Sequence, residues 1–174
     1  MQRPTPTNNE RILGEEEIIV SKTDKTGRIT YVNDIFCRLG QYTEDEMIGA
    51  PHSIIRHPDM PRAVFHLLWQ RISSGHEIFA YVKNLAKSGD YYWVFAHVTP
   101  SYSKDGAIEG YHSNRRSVDR RAMPIIESLY RDLRQIENTG NDPKQALQNS
   151  AQHLEKLLAD KGVVYDEFIQ KLAG

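Results

Sequence analysis

The chain has 174 residues, 39% hydrophobic and 26% charged, enough for one domain with a real core and an appendage. Its 22 Lys and Arg stand against 23 Asp and Glu for a net charge of -1, so no broad positive field exists to attract nucleic acid or an anionic membrane. A single cysteine, Cys37, excludes an intramolecular disulfide, a CxxC zinc site and a CxxCH haem attachment, as expected for a reducing cytoplasm. No run approaches the ~18–20 apolar residues of a membrane span, and residues 1–17 lack the apolar core of a secretory signal.

In chain order, residues 1–15 are rich in Pro, Thr and Asn and read as an arm or cap lying outside the core. The β-rich runs Ile18-Ile19-Val20 and Ile29-Thr30-Tyr31-Val32, separated by Asp24-Lys25-Thr26-Gly27, predict a hairpin. Asn33-Asp34 caps a short helix through Leu39, and Thr43-Glu44-Asp45-Glu46 has the spacing of a capping box opening another. The segment PHSIIRHPDMP, Pro51 to Pro61, holds three prolines and is no regular helix. A longer helix follows, with Val64, Leu67, Leu68 and Ile72 at helical spacing before Gly75. Three strands come next, Ile78–Asn84, Tyr91–Thr99 and Ile108–Arg115.

From Asp119 the periodicity turns helical. Ile125, Ile126, Leu129, Tyr130 and Leu133 form one apolar stripe, a second helix runs from Pro143 to Ala159, and a short one from Tyr165 to Leu172. The first stripe needs a docking surface. Candidates are the outer sheet face at Trp93, Phe95 and His97, a second copy, or a partner. The division is therefore an arm at residues 1–15, an α+β unit at 16–119 and amphipathic helices at 120–174.

The densest chemistry lies in the Pro-punctuated segment, where His52, Arg56, His57 and Asp59 converge just before a helix N-terminus that favours anions. Its plain alternative is a solvated polar loop, and no metal-ligand spacing or nucleophile elbow accompanies it. Alternation puts Asn84 on one face with Ile78, Ala80 and Val82. There it either meets a planar heterocycle with donors and acceptors or begins the turn. Tyr111, Ser113 and Arg115 share a face opposite to His112, Asn114 and Arg116, and pattern alone does not say which face is inward. Trp69 and Trp93 read as core or interface aromatics, and Cys37 as a small buried hydrophobe.

GRITYVND, KNLAKSGDYYWV and GYHSNRR, in that order, resemble a PAS sensory domain. VNDIF, QYTEDEMIGAPH, IIRHPDMP, VKN, KSGDYYWV and GYHSNRR followed by PIIESLY resemble, more specifically, the flavin-binding PAS domain of bacterial aerotaxis receptors, over about residues 16–133. The resemblance implies a PAS fold: a five-stranded antiparallel sheet with short helices on one face, here with a C-terminal helical extension. It implies non-covalent FAD. Arg56, His57 and Asp59 match the family's RHPD, with His52 and Met60 beside them. Asn84 matches the asparagine that hydrogen-bonds the flavin ring, Trp69 a helix tryptophan, Ser113 and Arg115 the closing strand, and Asn33 the asparagine after the second strand. Ile78 stands where the family pattern has tryptophan. Against light-sensing flavin (LOV) domains, the reactive cysteine position falls near His52 and Cys37 lies in another helix, so a cysteinyl–flavin photoadduct is not expected.

The function these features imply is a cytoplasmic redox or oxygen sensor of the energy-taxis type, not an enzyme. It would signal by conformational change to a partner protein, a transmembrane chemoreceptor-like one among the candidates, and would form a homodimer without binding nucleic acid or inserting in membrane. Two readings compete: a cofactor-free PAS interaction module, and a haem gas sensor with His52, His57 or another histidine as axial ligand.

Overall fold

The computed structural model describes residues 4–173. Its elements are β1 (Ile19–Asp24), β2 (Ile29–Val32), α1 (Asp34–Gly40), α2 (Glu44–Met47), a 3-10 turn (His52–Ile55), α3 (Arg62–Ser73), β3 (Ile78–Leu85), β4 (Tyr91–Tyr102), β5 (Ile108–Arg116), α4 (Met123–Glu137), α5 (Pro143–Asp160) and α6 (Tyr165–Ala173). The strands form one antiparallel sheet in the order β2-β1-β5-β4-β3. The hairpin and short helices follow from local chemistry. Asp24 Oδ1 accepts from the Thr26 and Arg28 amides at 2.8 and 3.0 Å, which closes the turn. Asn33 Oδ1 accepts from Phe36 N at 3.2 Å to cap α1, and Thr43 with Glu46 makes a reciprocal capping box on α2.

The inner sheet face, carrying Ile19, Ile78, Ala80, Val82, Tyr92, Val94 and Ala96, is buried. With Phe36, Leu39, Met47, Ile55, Val64 and Ile72 from the preceding helices it makes the core. At Arg115 the face is also thin: its register partners are Ile19 on β1 and Ala96 on β4, and Ala96 in turn pairs with Ala80. Two alanines side by side leave volume that larger side chains would fill.

Residues 4–14 are an ordered strap. Thr7 N donates to Gly89 O and Arg11 N to Tyr91 O, both at 2.7 Å, and Tyr91 N returns a bond to Asn9 O at 3.0 Å. Gly89 has φ +93, and a Cβ there would stand 2.0 Å from Thr5 O, so the close approach requires glycine. The expectation that this arm stays outside the core fails at one residue: Leu13 is buried in it. Pairing of the flanking backbone with Tyr91 carries that side chain inward.

The helical tail docks on its own chain. Tyr130 meets Trp93 with ring centroids 6.1 Å apart and donates its hydroxyl to Tyr81 O at 2.6 Å. Asp166 Oδ1 of α6 accepts from Phe79 N at 3.3 Å. These side chains occupy backbone groups on the free side of edge strand β3, which would otherwise be a template for strand pairing. The predicted stripe loses one member: Ile125 is 49% exposed, whereas Ile126, Leu129, Tyr130 and Leu133 are buried. The first turn of α4 presents Ile125 away from the sheet, and Ile126 takes the inward position. Phe95 and His97 stay only partly covered, with His97 stacked on Phe79 at 4.2 Å.

Candidate functional site

Between the inner sheet face and the 3-10 turn with α3 lies a cavity of about 260 Å³. Its apolar wall is Val82, Ala96 and Val98 from the sheet facing Ile55, Leu68 and Ile72, and Phe65, Trp69 and Tyr111 add aromatic surface. Trp69 meets Tyr111 edge to face at 5.5 Å and is 37% exposed, which sets it at the solvent end of the cavity. Gly27 lies beside it: a Cβ there would stand 3.0 Å from the indole.

Polar groups enter from three elements. Arg115 is fully buried on β5, its Nη2 donating to Ser21 Oγ and its guanidinium carbon 4.1 Å over the Phe36 ring. Its Nε and Nη1 have no hydrogen-bond partner among the described residues. Burial lowers its pKa to about 10, so it is a cation at neutral pH. Asn84, also buried, lines the cavity with an amide Nδ2 that lacks a partner among the described residues. An isolated buried donor costs about 1–3 kcal/mol and an unpaired cation more, so the three unpartnered donors carried by these two lining residues are costly to leave unsatisfied. Arg56 lines the same space, its guanidinium carbon 3.7 Å from the Phe65 ring centroid. His52 Nε2 lies 3.4 Å from Ser21 Oγ. Burial, then the charges of Arg115 and Arg56, pushes His52 down to about 3, so its imidazole is neutral. No carboxylate lines the cavity among the described residues, and its net field is positive.

Of the ten residues singled out from sequence, His52, Arg56, Trp69, Asn84, Ser113 and Arg115 come together on this cavity. Asn33, His57, Asp59 and Met60 do not line it. Asn33 is occupied with the backbone, accepting from Val20 N at 3.0 Å and donating to Ile18 O at 2.8 Å. The RHPDMP segment divides. Pro58 and Asp59 form a turn closed by Met60 N to His57 O at 3.0 Å. His57 is buried, its ring 6.0 Å from that of Tyr91, with Nδ1 accepting from Asp59 N at 3.1 Å. The Asp59 side chain is 65% exposed and pairs with Lys83 Nζ at 2.7 Å. Lys83, with burial opposing, holds that carboxyl below its usual range. Met60 Sδ accepts from Lys83 N at 3.2 Å. Arg56 also bridges to Asn84 in antiparallel fashion, so the whole segment is fastened along the end of β3.

Sequence reasoning missed Ser21, Tyr111, Phe65 and the apolar wall. For Ser21 a signal existed: it shares a face of β1 with Ile19 and Thr23, a polar residue in an inward row, and it pairs in register with Ser113.

A sheet in this order, a short helical layer on one face and a ligand-sized cavity between them define a PAS domain. The family comparison agrees: residues 29–114 match the PAS fold, so the chain carries a PAS domain. Among relatives it is 36% identical over 142 residues to the aerotaxis receptor of Escherichia coli (strain K12), covering 82% of this chain and 27% of that protein. It is 25% identical over 131 residues to the nitrogen fixation regulatory protein of Klebsiella pneumoniae, 70% of this chain and 26% of that protein. The chain thus spans about a quarter of the length of these relatives. Among solved structures, the dark state of the blue-light photoreceptor Aureochrome1 LOV superposes with a TM-score of 0.56 at 21% identity, over 63% of this chain and 82% of that one. That likeness is one of fold. No helix among the described residues is long and apolar enough to cross a membrane.

Proposed function

We propose that this chain is a PAS sensor that holds FAD non-covalently in the cavity beneath α3 and reports its redox state to a signalling partner. The observation that carries the reading is the set of buried donors without partners among the described residues, Asn84 Nδ2 with Arg115 Nε and Nη1, on two residues that line a cavity with an apolar wall. A planar heterocycle with ring nitrogens and carbonyls matches that donor set, and a positive field without carboxylates favours an anionic ring or phosphate. At about 260 Å³ the cavity suits a ring system, with the rest of a larger ligand outside the Trp69–Gly27 end. When bound, a flavin supplies reversible one- and two-electron reduction. The chain's part is to orient the ring and to answer its change of charge. Asn84 carries both a donor and an acceptor, and Arg115 supplies a fixed positive charge.

In this reading Arg56 acts in the cavity wall, while Asn33, His57, Asp59 and Met60 act behind it by holding β1, β3 and the RHPDMP segment in place. Similarity to receptors and regulators, all longer than this chain, supports a sensory role over an enzymatic one. The output would be a contact with a separate signalling protein, in the cytoplasm, from a homodimer.

One absorption spectrum of the purified protein, with added FAD and then dithionite, tests the reading. Flavin bands that bleach on reduction and a protein-bound quenched fluorescence are expected. A colourless protein that takes up neither FAD nor FMN would leave a cofactor-free interaction module, and a Soret band would make it a haem sensor with His52, the histidine lining the cavity, as first ligand candidate.

A further inference from the structure

Helix α3, which walls the cavity, starts at a residue that cannot cap it. Its N-cap is Pro61, without a side-chain acceptor, so the first amides of the helix are orphaned locally. They are capped from 75 residues away. Glu137, the last residue of α4, accepts from Arg62 N through Oε2 and from Ala63 N through Oε1, both at 2.9 Å. Its side chain is fully buried. The Ser150 hydroxyl of α5 donates to Oε1 at 3.1 Å, and Arg62 Nε and Arg134 Nη1 lie 3.6 and 3.5 Å from Oε2. One carboxylate therefore ties together the start of α3, the end of α4 and the middle of α5, at the positive end of the α3 dipole.

We propose that Glu137 couples the cavity to the helical tail: it is a cap in trans whose retention depends on the state of the cavity, and through which α5 follows α3. The coupling rests on the reading of the cavity as a cofactor site for its input, though the link between α3 and the tail stands on these contacts alone. Phe65, Leu68, Trp69 and Ile72 face the cavity from the same helix whose first turn Glu137 holds. A change that shifts α3 must either carry the Glu137 carboxylate with it or leave a buried anion without its two backbone donors on α3. The second is costly, so the tail is driven to move with α3 as a unit. The coupling is reciprocal: loosening the cap lowers the fraction of chains with a formed cavity and weakens binding there.

The test is amide hydrogen exchange over residues 143–160 with and without FAD, in the unaltered protein and in Glu137→Gln. The glutamine keeps the volume but replaces one acceptor oxygen by a donor. FAD is expected to slow exchange in α5 of the unaltered protein and to leave it unchanged in Glu137→Gln, with FAD affinity about fivefold lower in the variant. A cap of merely structural importance would raise exchange in the variant yet preserve the FAD-induced change, and that result overturns the proposal. So does FAD binding that leaves α5 exchange unaltered in the unmodified protein. If FAD does not bind at all, the sensor reading fails and the coupling is decided by Trp69. In a Trp93→Phe background, where Trp69 alone emits, Glu137→Gln should change both the indole's quencher access and α5 exchange. An unchanged Trp69 with faster α5 exchange would refute the link. Should Glu137→Gln not fold, Ser150→Ala removes one donor and leaves the carboxylate, with smaller effects expected in the same directions and the same opposite results decisive.

Discussion

Arg115 donates through Nη2 to the Ser21 hydroxyl, two residues brought together across the β1–β5 ladder from opposite ends of the domain. The bond uses one side of a buried guanidinium and leaves Nε and Nη1 without a partner among the described residues. A hydrogen bond from a charged donor contributes about 1.5–3 kcal/mol. Arg115→Met should therefore weaken FAD binding by about tenfold or more while leaving the apoprotein equally or more stable, because apolar volume replaces an unpaired buried charge. FAD titration beside urea unfolding of the apoprotein checks both, and undiminished affinity would remove Arg115 from the site.

Asn84 should act on the ring more than on the fold. Its Nδ2 has no partner among the described residues, so Asn84→Ala discards no hydrogen bond made by that donor. The expected result is a shifted flavin spectrum or midpoint potential, corresponding to about 1 kcal/mol between oxidised and reduced states, with an unchanged urea midpoint. Unaltered spectrum and potential would return Asn84 to a purely structural role.

Blue light should give no reversible thiol adduct. Cys37 lies on α1 and does not line the cavity. Burial, with Glu44 and Asp34 nearby, pushes its thiol pKa up, so little thiolate forms. Illumination followed by dark-recovery spectroscopy should look the same in Cys37→Ser. A recoverable adduct that disappears in that variant would contradict the cavity assignment.

His52 gives the apoprotein a pH-dependent stability. Its ordinary pKa is 6.5 and the folded value is about 3, so between those values the unfolded chain binds a proton that the folded chain does not. Stability from this residue is complete above about pH 6.5 and is lost as pH falls towards 3, with a slope of up to about 1.4 kcal/mol per pH unit. Urea unfolding across that range should show a shallower dependence in His52→Asn, and identical slopes would count against a neutral imidazole.

Tyr130→Phe removes the hydroxyl that satisfies Tyr81 O in a buried setting. A loss of about 1–3 kcal/mol is expected, together with faster exchange of the amides on the outer side of β3. Unchanged denaturation would mean that the tail contributes little to protecting that edge.

Much of the fold was legible because its signals are local. The Asp24–Gly27 turn, the Asn33 cap and the Thr43–Glu46 box each close over a few residues, and their chemistry is written in adjacent letters. The helices of the tail were legible from periodicity, but the inward face of α4 excludes Ile125 because the docking surface, Trp93 and Tyr81, sets the rotation of that helix.

The site was legible by half. Alternation put Ser113 and Arg115 on one face of β5; that this face is inward was decided by the central place of β5 between β1 and β4, where Ala96 and Ala80 leave room for a guanidinium. Sequence proximity grouped Arg56, His57 and Asp59, and the turn at Pro58 separated them, sending Arg56 to the cavity and Asp59 to Lys83 at the surface. Glu137 had no local mark at all. A glutamate at the end of an amphipathic helix reads as solvated, and its role arose from a helix that begins at Pro61 without a cap of its own. The sequence alone determined the elements and the donors available, since those depend on short-range pattern and side-chain chemistry. Which donors were left facing a cavity, and which anion caps α3, depended on contacts between residues far apart in the chain, which only the folded packing brings within bonding distance.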